Sequence, residues 1–150
     1  MLDSIKDTLD LPPYPVVKRF EGTYNVAVSR YYRFPTSYFY KHKLKMVVDL
    51  IKGDHYDNIL DFGTGSGILI PTLRRYADHV KGVQKLQDIW VHWRFNVIVC
   101  ASVLEFIEDI DTTITKLKSH LKPGGIMIIA SPMDTVLTRA YFKLIGNNSR

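Results

Sequence analysis

Four short apolar runs set the strongest constraint on how this 150-residue chain folds: NILDF at 58–62, HVKGV at 79–83, FNVIVCAS at 95–102 and GIMIIASP at 125–132. They read as buried strands, and segments of helical period lie between and around them. In KHKLKMVVDLIK, Leu44, Val47, Val48 and Ile51 recur at i, i+3, i+4 and i+7. After NILDF, Leu69, Thr72, Leu73 and Tyr76 mark a helix that should begin near Ile68, because Pro71 fits only in a first helical turn. Ile110, Ile114, Leu117 and Leu121 mark another, ended by KPGG, and Asp134 caps a last one carrying Leu137, Tyr141 and Leu144 up to Gly146. A short amphipathic helix on Leu2, Ile5 and Leu9 stops at Pro12 and Pro13. Strand and helix in alternation predict a parallel sheet with helices on both faces, an α/β fold.

The length suits a single domain, 1–150, with one sizeable core. The expected division is a helical and aromatic cap over 1–43 and a core over 44–146. No apolar run reaches the roughly 20 residues that span a bilayer, and the first residues lack a signal peptide's apolar stretch. A cytoplasmic location is the expectation. Cys100 sits within FNVIVCAS, where a cysteine packs as a small apolar residue. The net charge of +5 is concentrated: eight Lys/Arg lie between Lys18 and Lys52 against Glu21 and Asp49, among eight aromatic residues. Such a segment is either a solvated helix face over an aromatic core or a grip for anions, with peripheral contact to an anionic membrane the more open option and nucleic acid the weaker. The histidines show no ligand spacing, so no metal site is expected. Trp90 and Trp93 read as packing residues, and Glu105 as a helix cap or solvent-facing acid.

Gly63, Gly65 and Gly67 fall where the first strand hands over to the first helix, the place where open α/β sheets bind ligands. A phosphate-cradling P-loop needs Lys followed by Ser or Thr after the last glycine, and the chain has Ile68 and Leu69. The dinucleotide pattern G-x-G-x-x-G is not met, and Asp61 would sit badly beside a pyrophosphate but well beside an ammonium group.

ILDFGTGSG resembles motif I of the class I S-adenosylmethionine-dependent methyltransferases. FNVIVCASVLEFIEDI is similar to their fourth strand and the turn after it, and LKSHLKPGGIMIIASP to the run into their fifth. The resemblance covers roughly 44–146 and implies a Rossmann-like fold with S-adenosylmethionine as cofactor. It also implies that Asp61 and the main chain of Gly63, Thr64 and Gly65 hold the methionine portion, with Gly67 closing the turn. By the same resemblance Asp88 receives the adenine amino group, Ile89 flanks the ring, and Ala101 and Ser102 line the adenosyl pocket. Tyr24, beside Asn25, is similar to a Tyr-Asp pair in an amino-terminal helix of small-molecule members and is a candidate substrate contact.

Two departures shape the reading. Where the family places an acid at the end of its second strand to hold the ribose, this chain has Gln84, a weaker acceptor. Only KLQDIWVHWR, 85–94, separates that strand from the next, too few residues for a helix and a further parallel strand. The expected sheet therefore has four strands in the order 2-1-4-5 by the family's labels, with residues 126–130 on an edge open to a second copy or a partner subunit. The resemblance implies a methyltransferase for a small-molecule or lipid-like acceptor, with no catalytic base assigned. The alternative is a weak or inactive S-adenosylmethionine-binding module that partners a complete enzyme.

Overall fold

The computed structural model describes residues 5, 8–23 and 28–131 and centres on one four-stranded sheet. Its strands are β1 (Tyr56–Phe62), β2 (Ala77–Val83), β3 (Phe95–Ala101) and β4 (Leu121–Ala130). They lie in the order β2-β1-β3-β4, all parallel, which is the order read from the sequence. The α-helices that accompany them include α1 (Tyr14–Val17), α2 (Thr36–Asp49), α3 (Ile70–Leu73) and α4 (Ile110–Ser119), and Ile5 and Thr8 are also helical.

Alternate residues of the central strands feed two cores, as a parallel sheet covered on both faces requires. Ile59, Val97 and Val99 pack with Leu44, Val47 and Val48 of α2 and with Ile68, Leu69 and Leu73 around α3. Leu60, Phe62, Ile98 and Cys100 pack on the opposite face with Ile89, Val103, Leu104 and, from α4, Leu117. Burial pushes the Cys100 thiol up to about 12, so it stays protonated and packs as an apolar group.

Several boundaries differ from the sequence expectation. The helix after β1 is a single turn: Leu69, Thr72 and Leu73 are buried as expected, but Tyr76 already sits at the entry to β2, its carbonyl accepting the Tyr56 N–H at 2.8 Å. Leu121 belongs to β4 rather than to α4, because it pairs with Phe95. Ile126 pairs with Val97, so the KPGG segment is a bulge within β4 instead of the terminator of a helix. The helix ends at Ser119, with Asp109 capping its start through the Thr112 N–H at 3.0 Å. The expected border at 43/44 falls inside α2, which carries the chain from the cap into the core without interruption. The helix expected over 134–146, Leu2 and Tyr24 lie outside the described residues.

The short connection from β2 to β3 holds neither an α-helix nor a strand. It makes one 3-10 turn, Leu86–Asp88, and then runs irregularly, with Leu86, Ile89 and Trp93 packed in the second core. Arg94 Nη1 donates to the carbonyls of Val91 and Trp93 at 2.8 and 2.9 Å, which satisfies backbone a helix would have satisfied internally. Trp93 is packed as expected, but Trp90, stacked on it with ring centroids 5.4 Å apart, remains 62% exposed.

Thr72, fully buried, ties the amino-terminal segment to α3: its Oγ1 accepts the Asp10 N–H at 2.9 Å and donates to the Asp10 carbonyl at 3.1 Å. Thr72→Val removes both bonds while keeping the shape, and is expected to cost about 1–2 kcal/mol in urea denaturation. A change within about 0.3 kcal/mol would show that water replaces both bonds and that the segment is not anchored there.

Candidate active site

Returning from β2 past β1 to β3, the chain creates a topological switch point between the carboxyl ends of β1 and β3. Asp61 stands there, one residue before the end of β1. Its side chain lies on the Ile59 side of the sheet and is 4% exposed. Thr64 Oγ1 donates to Asp61 Oδ2 at 2.8 Å, and the Gly65 N–H donates to Gln84 Oε1 at 3.0 Å. The N–H groups of Gly63 and Thr64 both reach the Val83 carbonyl, at 2.8 and 3.1 Å. The turn is thereby stitched to the end of β2 by three main-chain donors and one side-chain acceptor.

Glycine is needed in this turn for two separate reasons. Gly63, Gly65 and Gly67 all have φ in the left-handed region, at 74°, 54° and 71°, where a side chain is strained. At Gly63 a β-carbon would also lie 2.2 Å from Val103 Cγ2, so the residue after β3's turn packs straight onto the bare main chain. On the neighbouring strand Gly82 does the same for Thr64, whose Oγ1 would stand 2.8 Å from an added β-carbon. Part of the bareness that the sequence suggests is for a ligand is thus used by the protein itself. It lets Thr64 lean over β2 toward Asp61.

Two acids of the site are shifted upward by the same cause. Burial raises the Asp61 carboxyl to about 6, opposed only partly by the Thr64 hydroxyl. Burial also raises the Tyr31 phenol well above its ordinary value, with further pushes from Tyr40, Asp61 and Glu105. Tyr31 therefore remains a protonated donor, with its ring edge-on to Tyr40 at 5.0 Å between centroids.

Ser102 follows β3 in the left-handed region, φ 58°, a strained conformation for a residue with a side chain. Its N–H is fixed by the Ala130 carbonyl at 2.7 Å, and its Oγ accepts a hydrogen bond from Lys43 Nζ. Lys43 comes from α2, with its ammonium 5.0 Å from the centre of the Tyr40 ring. Burial pushes the pKa of the Lys43 ammonium below the ordinary lysine value, and the Glu105 charge partly restores it. Sequence reading missed Lys43, Tyr31 and Val103. The signal available for Lys43 was its place next to the buried Leu44, at the rim of the inner face of α2.

The structure brings Asp61, Gly63, Thr64, Gly65, Gly67 and Gln84 into one turn, with Ala101 and Ser102 on the adjacent strand end. It does not bring Asp88 or Ile89 to that turn with free side chains. Asp88 is exposed and its Oδ2 accepts the Lys85 N–H at 3.0 Å, while Ile89 is buried in the second core. Gln84 serves as the acceptor that holds Gly65. Beside the turn lies a cavity of about 300 Å³ lined by Phe20, Thr64, Gly65, Gly67, Arg74 and Gly82 among others, and no residue of 85–94 enters it.

A methyltransferase domain family matches residues 30–146, and the chain belongs to that family. Among curated relatives, a ubiquinone biosynthesis O-methyltransferase of Rickettsia canadensis (strain McKiel) is 23% identical, over 59% of this chain and 50% of the relative. The chain spans about half the length of the curated relatives it matches. Among solved structures, the N-methyltransferase NodS from Bradyrhizobium japonicum WM9, in complex with S-adenosyl-L-homocysteine, gives a TM-score of 0.55 at 17% identity, covering 77% of this chain and 71% of that one. CalS10, an amino pentose methyltransferase from Micromonospora echinaspora with S-adenosylmethionine bound, gives 0.54 at 16%, covering 83% and 58%. At these identities the likeness is one of fold, and it accords with the four-stranded core.

The raised pKa of Asp61 has a consequence for stability. Its native value of about 6 exceeds the ordinary 3.8, so the native state binds the proton more tightly than the unfolded chain, and stability falls as pH rises from about 4 through 6. Above that window the buried carboxylate costs roughly 1–3 kcal/mol. Asp61→Asn, which can still accept from Thr64, is expected to raise the urea midpoint at pH 7.5 and to match the wild type near pH 4. A variant less stable than wild type at pH 7.5 would contradict the assigned cause.

Proposed function

We propose that this chain uses S-adenosylmethionine to methylate a small-molecule or lipid-like acceptor. The observation that carries the reading is the buried Asp61 carboxyl at the switch point, raised by burial and answered on its own turn by a hydroxyl. A cation placed beside it would restore the carboxylate, and the cofactor's amino acid end offers an ammonium group with a sulfonium close by. The residues present fit that end: Asp61 for the ammonium group, with the main chain of Gly63, Thr64 and Gly65 around the methionine portion. They fit the adenosine end less closely, since Gln84 Oε1 already holds Gly65 and one oxygen of the Asp88 carboxylate accepts the Lys85 N–H.

When bound, the cofactor supplies a methyl group on a positively charged sulfur. The chain's own part is to align an acceptor and to keep water away, which methyl transfer chiefly needs. Tyr31, Tyr40 and Lys43 stand on the cap side of the switch point and are the side chains suited to orient that acceptor, Tyr31 as a donor and Lys43 through Ser102. The engaged states of Gln84 and Asp88, and the absence of a full crossover at 85–94, support the second reading: a module that binds cofactor at its methionine end without turning over.

Calorimetric titration separates these readings. Wild type is expected to bind S-adenosylmethionine, more weakly as pH is lowered through about 6, and Asp61→Asn to lose at least about tenfold in affinity. Methyl transfer to any member of an acceptor panel then supports the enzyme, and binding without transfer supports the module. No heat of binding at millimolar cofactor would end both.

The edge of β4 is the place for a second copy or partner subunit, since Ile126 and Ile129 remain 41% and 50% exposed on it. Light scattering at tens of micromolar is expected to show a species above the monomer mass that Ile129→Lys disperses. A wild-type monomer at that concentration would remove the proposal.

A further inference from the structure

Lys43 is a half-buried cation held by neutral groups. Its ammonium donates to Ser102 Oγ and stands 5.0 Å from the centre of the Tyr40 ring. Among the described residues no carboxylate lies within ion-pair distance of it. A charge drawn out of water costs free energy unless an opposite charge answers it, and a lysine ordinarily escapes that cost by extending its stem to solvent. Here the ammonium turns instead to the carboxyl end of β3, onto a serine fixed in the left-handed region by the Ala130 carbonyl.

The groups around Lys43 add donors rather than acceptors. Tyr31 ends the 3-10 turn Val28–Tyr31 and packs edge-on to Tyr40, and its hydroxyl has no hydrogen-bond partner among the described residues. The Tyr40 hydroxyl accepts from Arg30 Nη1 at 3.1 Å, which leaves its own proton to give. Of the N–H bonds of the ammonium, Ser102 takes one. The acids that act on this group are Asp61 and Glu105. Asp61 is buried and bonded to Thr64, and Glu105 is exposed on the 3-10 turn Leu104–Phe106, reaching Tyr31 and Lys43 through its charge alone. When Arg30, Lys43 and a cofactor of net positive charge are set against Asp61 and Glu105, positive charge is left over.

We infer, resting on the cofactor reading above, that the methyl acceptor carries a carboxylate, held by the Lys43 ammonium with the Tyr31 hydroxyl as second donor. Neighbouring donors suit the paired oxygens of a carboxylate, and the Tyr31 and Tyr40 rings offer an apolar wall to the rest of the molecule. A neutral acceptor would leave the lysine charge unanswered beside a cationic cofactor.

NMR titration with sodium benzoate tests this, with benzamide as the neutral analogue of the same shape. Both are added at constant ionic strength, to the free protein and to protein saturated with S-adenosyl-L-homocysteine. Wild type is expected to bind benzoate at least roughly tenfold more tightly than benzamide, with the Lys43 side-chain signal moving as benzoate is added. Lys43→Met should abolish that preference, Lys43→Arg should keep part of it, and Tyr31→Phe should weaken benzoate roughly threefold to tenfold. Unaltered circular dichroism and melting will show that the variants fold, and the benzoate preference of the wild type needs no variant. Any of four results would overturn the inference: no benzoate binding at roughly 50 mM, equal affinity for the two probes, a preference that survives Lys43→Met, or a tenfold loss of S-adenosylmethionine affinity in Lys43→Met, which would give the lysine to the cofactor's own carboxylate. Failure of the cofactor reading shows separately, as no heat with S-adenosylmethionine in the wild type.

Discussion

Asp61 stands near the end of the inner strand β1 with its carboxyl almost out of water, and the remainder of the turn is arranged around that fact. The parallel pairing of β1 with both β2 and β3 leaves no freedom in where the side chain goes: Asp61 stands opposite Gly82 on one neighbour and Val99 on the other. Gly82 lacks a side chain, which allows Thr64 to fold back and donate to the carboxyl. Val103 presses on Gly63 from the β3 side. A charged group kept dry in this way opposes folding at neutral pH, and its retention at a switch point is more readily explained by a cationic ligand than by structure.

The sheet tolerates a shortened plan because its two cores are divided between adjacent segments. One face is closed by α2 and the chain around α3, the other by α4 and the connection between β2 and β3. That connection contributes Leu86, Ile89 and Trp93 to the second core without regular helix, and Arg94 and His120 satisfy its carbonyls. The space beside the glycine turn is left open by the single-turn α3, with Phe20 and Arg74 at its walls. Among the described residues no helix is long and apolar enough to cross a membrane.

The strands were legible because residues buried on both faces cannot hide their apolarity. Their ends were less so. β2 begins at Ala77 rather than at His79 because it is an edge strand, where Asp78 and His79 can stay exposed while their backbone pairs. β4 begins four residues early because Leu121 pairs across a bulge that the glycines of KPGG had suggested as a helix stop. In the site, the Asp61, Thr64, Gly65 and Gln84 grouping could be read from one local motif and the strand after it. The contact between Lys43 and Ser102 joins residues 59 positions apart, and no spacing rule announces it. Asp88 shows the opposite case: a residue placed by resemblance whose carboxylate answers the nearest orphan N–H, that of Lys85.

The central claim is that the Asp61 carboxyl is held partly protonated by burial and is released to its charged form by a cationic ligand. Carbon-13 NMR of the aspartate carboxyls, with Asp61 assigned through its Asn variant, measures this directly. The account predicts a midpoint near 6 in the free protein, falling by about one unit or more with saturating S-adenosylmethionine. A midpoint near 4 in the free protein, or one near 6 that the ligand leaves unmoved, would contradict it.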